Sequence, residues 1–169
     1  MIKKDSIMFA RHILFSGVLA ALLSLGAAAQ AQETLLKISG ALDGPAPVSF
    51  SDSDLAALPS VEFVTGTIWT EGVSTFSGPS LKSVLEAAGA GRGDLLLVAA
   101  NDYKVSLPRD VIEDDYPIIA NRIDGKAFGI RDKGPLWVVF PYDAEPRFQS
   151  ELIYSYSIWQ LTQIEVLEE

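Results

Sequence analysis

The stretch between Asn121 and Pro141 limits the possible folds of this chain more strongly than any other. It contains Asp124-Gly125, the dipeptide that lets both central residues of a type I′ turn adopt positive φ. We therefore expect a β-hairpin with Ile118–Ile123 and Lys126–Phe128 as its arms. Leu136–Phe140 is a short apolar run, which predicts a strand buried on both faces. The centre of the molecule should thus be built from short strands joined by tight turns.

Four cations lie in the same stretch, at Arg122, Lys126, Arg131 and Lys133. Turns at strand ends are where a β-rich scaffold usually presents its binding groups. Two interpretations remain open. The cations either form solvated charge pairs with neighbouring aspartates, which contribute little to stability, or three of them build a concave anion site. The three candidates for that site are Arg122, Arg131 and Lys133.

The first 31 residues have the composition of an export signal. A positively charged start is followed by an apolar core, Ile13–Leu25, and by the small-x-small motif Ala29-Gln30-Ala31. We predict a Sec-type secretory signal peptide over residues 1–31 and one periplasmic or secreted domain over residues 32–169. The start contains no adjacent arginine pair, which argues against the twin-arginine route. The apolar core is shorter than the roughly 20 residues that span a bilayer, which favours cleavage over a retained membrane anchor. No membrane insertion is expected after cleavage.

Composition excludes several kinds of chemistry and several partners. The whole chain has 22 acidic and 13 basic residues. The leader holds one of these acids and three of the bases, so the predicted mature domain carries a net charge of −11. Nucleic acid and anionic membranes repel such a domain. The chain has no Cys, and its single His is His12 in the leader. This excludes Ser-His-Asp or Cys-His catalysis, zinc sites with His or Cys ligands, and disulfides in the mature domain.

Hydrophobic periodicity predicts a chain of several short strands with one clear core helix. Pro79 is the expected first residue of that helix and Gly89 its stop, with a loop over Glu71–Ser77 before it. Its entrance offers backbone N–H groups as a weak anion site. A short helix over Leu55–Leu58 is expected after a cap at residues 51–54. The other predicted strands are Glu33–Gly40, Val48–Phe50, Val61–Thr70, Leu95–Ala100, Lys104–Leu107 and Trp159–Val166.

Aromatic residues are dense towards the C-terminus, at Tyr154, Tyr156 and Trp159. Two interpretations remain open here as well. The rings either form a hydrophobic seam or line a ligand cage.

A series of motifs, in order, resembles a known family. They are a strand at Thr65–Trp69, Phe76-Ser77-Gly78-Pro79-Ser80-Leu81 opening a helix that ends at Gly89, Ala99-Ala100-Asn101-Asp102-Tyr103, Ile119-Ala120 before Asp124-Gly125, Gly134-Pro135 leading to Pro141, and the closing strand Trp159–Val166. Together, from about residue 40 to residue 166, they resemble the oxidoreductase molybdopterin-binding domain of the sulfite oxidase type. The resemblance implies a compact, mostly β α+β fold in which the pterin lies across strand-end loops.

The chain departs from that family where the chemistry sits. The resemblance implies molybdenum held by a cysteine thiolate in the loop after the strand matching Val61–Thr70. Here residues 67–72 read Thr-Ile-Trp-Thr-Glu-Gly, with no sulfur. The missing twin-arginine signal points the same way, because the resemblance implies that the cofactor is loaded before export. We therefore expect a fold kept without its metal, although molybdopterin is the cofactor that the resemblance implies.

Three functions remain open. The first is a ligand-binding or sensory module that uses the old cofactor cleft for a small anionic or polar ligand. The second is a molybdopterin-dependent oxidoreductase or its subunit, and the third is a partner-docking accessory of a periplasmic or membrane sensor protein. No catalytic residue is assigned. The cleft candidates are Arg122, Arg131, Lys133, Tyr103, Asn101 and Trp69.

Overall fold

The structure is a computed structural model that describes residues 33–169. The predicted signal peptide lies outside the described residues. Within them, the chain forms ten strands and three short helices. The strands are β1 (Leu36–Gly40), β2 (Val48–Phe50), β3 (Ser60–Gly66), β4 (Val73–Pro79), β5 (Leu95–Ala99), β6 (Lys104–Leu107), β7 (Ile118–Ala120), β8 (Arg122–Ile123), β9 (Trp137–Val139) and β10 (Leu161–Val166). The helices are α1 (Asp52–Ala57), α2 (Leu81–Ala87) and α3 (Glu151–Tyr156), with 3₁₀ turns at Arg109–Val111, Ile130–Asp132 and Pro146–Phe148. The expected α+β, mostly β class is confirmed.

The main sheet of the described residues has the strand order β2-β1-β10-β5-β6. The side chains of β1 alternate between buried and exposed as expected, because Leu36 and Ile38 are fully buried while Lys37 is exposed. Strand β10 lies parallel to β1, with Lys37 opposite Gln163, and antiparallel to β5. The two ends of the domain therefore meet in the middle of this sheet.

A second sheet in the described residues has the order β3-β4-β8, and β7 pairs separately with β9. The predicted buried strand at Leu136–Phe140 is confirmed, since all five residues are fully buried and the central three form β9. Its partner β7 is equally buried. This central pair packs against β4 and forms part of a single core that reaches the main sheet.

The turn at Asp124-Gly125 is confirmed, but the hairpin is shorter than predicted. Both residues have positive φ, at 50° and 74°. Ile123 and Lys126 exchange backbone hydrogen bonds of 2.9 and 3.0 Å across the turn. The pairing stops there, and the rest of the predicted first arm pairs elsewhere, β7 with β9 and β8 with β4. The predicted second arm, Lys126–Phe128, therefore contributes a single bridge.

The expected loop before the core helix is wrong, because Val73–Pro79 is strand β4. It pairs along its whole length with β3, from Ser60 opposite Pro79 to Gly66 opposite Val73. Pro79 ends this strand, and the helix is capped instead by Ser80, whose Oγ accepts a hydrogen bond from Ser83 N at 3.2 Å. At the start of the helix, where a weak anion site was predicted, Leu81 N donates to Pro117 O at 2.8 Å, so this N–H group is used within the protein.

Two further helix boundaries differ from expectation. The first short helix is capped as predicted, with Ser51 and Asp54 bonding each other reciprocally, but it begins at Asp52. Residues 151–156 form α3, which sequence patterning missed, so that the last strand begins at Leu161 rather than at Trp159. None of the helices in the described part of the chain is long and apolar enough to cross a bilayer.

Candidate functional site

An aromatic cleft of about 380 Å³ lies where three segments of the domain meet. The segments are the loop after β3, the turn between β5 and β6, and the end of α3 with the residues that lead into β10. The lining residues are Trp69, Ala99, Asn101, Tyr103, Tyr154, Ser155, Ser157, Ile158 and Trp159. Among the described residues, no charged side chain lines this aromatic cleft.

Trp69 contacts four other rings in an aromatic cluster at the cleft. Its ring centroid lies 5.7 Å from Tyr154 and 5.6 Å from Trp159, at interplanar angles of 84° and 67°. It also meets Trp137 edge-on at 5.9 Å. Edge-to-face arrangements of this kind are the favoured geometry for aromatic pairs. Trp69 therefore joins the surface of the cleft to the core.

A threonine-closed turn holds Trp69 in this place. The predicted strand Val61–Thr70 ends at Gly66, and Thr67 begins a turn. The Oγ1 atoms of Thr67 and Thr70 are 2.7 Å apart, and Trp69 N donates to Thr67 Oγ1 at 3.1 Å. Thr67 Oγ1 thus bonds both to the Thr70 hydroxyl and to the backbone N–H of Trp69, which orients the residue that carries the indole.

The opposite wall comes from the turn between β5 and β6. Asp102 adopts positive φ (64°), which Asp tolerates better than most residues. Ala99 N donates to Tyr103 O at 2.9 Å, and Asn101 Oδ1 accepts from Tyr103 N at 3.2 Å. This tight turn places Asn101 and Tyr103 at the mouth of the cleft, with the Tyr103 side chain more than half exposed.

A buried hydrogen-bond chain supports the floor of the cleft. Tyr142 is 1% exposed and donates its hydroxyl to Ser157 Oγ at 2.7 Å. Ser157 in turn donates to Ile153 O at 2.9 Å, and its carbonyl accepts from Trp137 Nε1 at 3.2 Å. Burial raises the pKa of Tyr142 to about 12, so the phenol stays neutral and keeps its role as a donor.

The predicted site residues fall into two groups. Trp69, Asn101 and Tyr103 come together in the aromatic cleft. Arg122 lies elsewhere, where its two terminal nitrogens bind the carboxylate of Asp52 at 2.8 and 2.7 Å. That hydrogen bonding lowers the pKa of Asp52 and raises the pKa of Arg122. Arg122 is thus committed to an ion pair between β8 and α1.

The other two predicted cations lie in or beside the 3₁₀ turn at Ile130–Asp132. Arg131 is an exposed member of the turn. Lys133 ends it with positive φ (69°) and places Nζ 5.9 Å from the centroid of the Trp137 ring. Neither side chain is among the cleft-lining residues. The three predicted cations are therefore not gathered around this cleft.

Sequence reasoning missed Ser155, Ser157 and Ile158, because it missed α3. A signal was present in Ser150-Glu151, which is N-cap chemistry followed by an acid in the first helical turn. The structure does place Tyr154 and Trp159, two of the three aromatic residues considered for a cage, in the cleft lining. The third, Tyr156, is buried in the core.

The residues around the aromatic cleft do not fit the cofactor that the family resemblance implies. The loop that would hold molybdenum has two threonine hydroxyls bonded to each other, and the chain has no cysteine. Soft thiolate is the ligand of the implied centre, and a hydroxyl is a poor substitute. In the described residues, no three His, Cys, Asp or Glu side chains are grouped so that they could hold a metal ion.

Comparison with known proteins adds no relative to this description. No family model matches the chain, and a search of curated proteins finds none that matches it.

Proposed function

We propose that this protein is an exported periplasmic domain that binds a small polar ligand in the aromatic cleft, as a ligand-binding or sensory module. The observation that carries the proposal is the cleft itself. Its volume of about 380 Å³ falls within the usual range of small-molecule sites, which are mostly apolar with a few polar groups. Trp69, Asn101 and Tyr103 were candidates from sequence alone, and all three line it.

The family resemblance supports the same proposal. In this view the domain descends from a molybdopterin-binding fold of the sulfite oxidase type and has kept the cleft without the metal. The loop matching the metal-binding loop carries Trp69 on a turn closed by Thr67 and Thr70. An aromatic wall then stands where the resemblance implies a thiolate ligand.

The charges of the described residues favour a neutral or cationic ligand over an anionic one. The Arg122 guanidinium is paired with Asp52, and the lining residues of the cleft include no cation. An anion entering an apolar cleft without a paired cation loses hydration that nothing there replaces. We therefore propose a polar, non-anionic ligand.

A fluorescence titration tests the proposal, because Trp69 and Trp159 line the cleft and the chain has three tryptophans in all. The protein, expressed from its full chain, is titrated with choline, glucose, glycine and inorganic phosphate. We expect saturable quenching by at least one of the first three. Quenching by phosphate alone, or by none of the four, contradicts the proposal.

The oxidoreductase alternative has its own test. Protein purified from the periplasm of a molybdopterin-competent host is assayed for molybdenum by mass spectrometry and for pterin by fluorescence. The proposed binding module contains neither in stoichiometric amount. Near-stoichiometric metal and pterin would make the protein a member of the oxidoreductase class with an unusual centre near Thr67 and Thr70.

A partner-docking function is the second candidate, and one observation favours it. The hairpin formed by β3 and β4 exposes three large apolar side chains near its tip, Val64, Ile68 and Val73, at 67%, 62% and 63%. Exposed apolar groups that lie together mark interaction surfaces. Lysine substitutions at Val64 and Val73 should then abolish crosslinking to a membrane sensor protein without changing ligand-induced quenching. Unchanged crosslinking removes this candidate.

A further inference from the structure

Aromatic rings of different orientations border the aromatic cleft. Among the described residues, its lining includes four aromatic side chains, Trp69, Tyr103, Tyr154 and Trp159. Trp69 stands nearly perpendicular to Tyr154 (84°) and steeply inclined to Trp159 (67°). Rings at such angles meet edge to face, so in each pair the edge of one ring covers part of the face of the other. The face of an aromatic ring carries partial negative charge, so a ring face that is open to the cleft attracts a positive group.

Part of the polar surface of the same lining is already engaged within the protein. Three side chains, an amide and two hydroxyls, take part in internal hydrogen bonds. These bonds run from Tyr103 N to Asn101 Oδ1 (3.2 Å), from Ser155 Oγ to Leu152 O (2.6 Å), and from Tyr142 Oη to Ser157 Oγ (2.7 Å). A sugar or an amino acid needs several directed hydrogen bonds when it loses water. A quaternary ammonium group donates none, so it loses little by entering here.

The charge of the protein acts in the same direction. The chain has a net charge of −9, and no charged side chain of the described residues lines the cleft. A negative field of this kind raises the local concentration of cations. The aromatic cluster behind the lining already accepts one cation, since Lys133 Nζ lies 5.9 Å from the centroid of Trp137, a ring that packs against both Trp69 and Trp159.

From these observations we propose that the ligand of the aromatic cleft is a small quaternary ammonium compound, held by cation–π contacts with Trp69, Tyr154 and Trp159. This proposal rests on the function proposed above and narrows its ligand to one chemical class. The cleft volume of about 380 Å³ admits a small molecule that carries such a group.

The decisive comparison is between choline and dimethylbutanol, its neutral isostere in which carbon replaces the ammonium nitrogen. Binding of each to the full-chain protein is measured by isothermal titration calorimetry. The two molecules have the same shape, so the difference reports the positive charge alone. We expect choline to bind at least about tenfold more tightly. Equal affinities, or tighter binding of dimethylbutanol, overturn the proposal.

Two substitutions of Trp159 distinguish the contribution of its aromatic face from that of its apolar volume. Trp159 is partly exposed, which limits the cost of changing it. Trp159→Leu should weaken choline binding by between about 2-fold and 30-fold and leave dimethylbutanol within about 2-fold. Trp159→Phe should restore most of the choline affinity. Tyr116→Leu, an aromatic residue outside the cleft, is the matched control and should change neither. An equal loss for both ligands in Trp159→Leu overturns the cation–π assignment.

Glucose and inorganic phosphate distinguish the failure of this proposal from the failure of the proposed function. If glucose binds and choline does not, the quaternary ammonium class is wrong and the binding module stands. If none of choline, dimethylbutanol, glucose, glycine and phosphate binds to a protein with a normal thermal transition, both fail. If phosphate binds with choline as a weak competitor, the cleft recognises anions and this proposal is wrong.

Discussion

Among single side chains, Arg122 links two elements that are distant in sequence. Both of its terminal nitrogens bind the carboxylate of Asp52, and Asn121 adds a third bond to the same group at 3.1 Å. The planar guanidinium matches the carboxylate geometry, which makes such a pair stronger and more specific than a single contact. The interaction holds β8 beside the N-terminus of α1. Arg122 was considered for ligand binding because its actual partner, Asp52, lies 70 residues away and cannot be recognised from the sequence.

Arg122→Ala should therefore lower stability, whereas Arg131→Ala should not. Removing the guanidinium leaves the partly exposed Asp52 without its main partner, and solvent reduces the effect to about 1 kcal/mol in the free energy of unfolding. Arg131 is exposed, so its removal should change that free energy by less than about 0.5 kcal/mol. Urea denaturation of the two variants makes the comparison. Equal stabilities would mean that the ion pair contributes nothing.

The same pair predicts a dependence on pH. Hydrogen bonding to Arg122 lowers the pKa of Asp52 in the folded state. A group of this kind stabilises the fold fully above its unfolded pKa of about 3.9, and the contribution disappears as pH falls through the lower folded value. The stability difference between wild type and Arg122→Ala should thus be constant from neutral pH to about pH 5 and shrink below about pH 4. A difference that grows with acid contradicts this assignment.

Among the secondary-structure elements, β4 brings the sheet β3-β4-β8 into contact with the pair formed by β7 and β9. It pairs with β3 on one side and β8 on the other, and it passes close to β7. The close approach depends on Gly78, where a Cβ atom would lie 2.1 Å from Ile119 O. Since the contact is with backbone on a buried strand, neither side can yield by changing a rotamer.

Gly78→Ala should accordingly destabilise the domain by about 1–3 kcal/mol, the usual cost of forcing extra atoms into a packed interior. Gly129→Ala is the matched control, because a Cβ there meets nothing within 4 Å. Its free energy of unfolding should stay within about 0.5 kcal/mol of wild type. Thermal or urea unfolding of both variants measures the difference. A stable Gly78→Ala variant would show that β4 and β7 are farther apart.

Elements with clear local signals were predictable, and elements specified by their partners were not. The turn at Asp124-Gly125, the buried run at Leu136–Phe140 and the stop at Gly89 each carry their own chemistry, and all are present. Val73–Pro79 carries few large apolar residues, and its strand conformation comes from pairing on both sides. The candidate site was recovered in part, because its aromatic residues are recognisable in sequence whereas the wall built by α3 is not.

At the scale of the whole molecule, the net negative charge and the aromatic cleft should both favour binding of a cation. Residues from three distant segments create an uncharged aromatic surface in a protein with a net charge of −9. Long-range attraction of a cation to such a protein is screened by salt, because the Debye length falls from about 30 Å at 0.01 M to about 8 Å at 0.15 M. Short-range contacts with ring faces are screened far less.

Choline affinity should therefore fall on the order of a few-fold between these two salt concentrations, while the affinity of dimethylbutanol stays constant. Calorimetry at both ionic strengths measures the two trends in the same protein. The neutral ligand serves as the control for effects of salt on the fold. An affinity for choline that is independent of salt would remove the contribution of net charge from this account.

The most direct test of a ligand site in the aromatic cleft is the nuclear magnetic resonance of the three tryptophan indole N–H groups during a choline titration. Trp69 and Trp159 line the cleft, whereas Trp137 is fully buried and donates its indole N–H to Ser157 O. We predict saturable shifts of the Trp69 and Trp159 signals, with a much smaller change at Trp137. Saturable shifts confined to the backbone amides of the β3–β4 hairpin, or no shifts at all, would contradict the account.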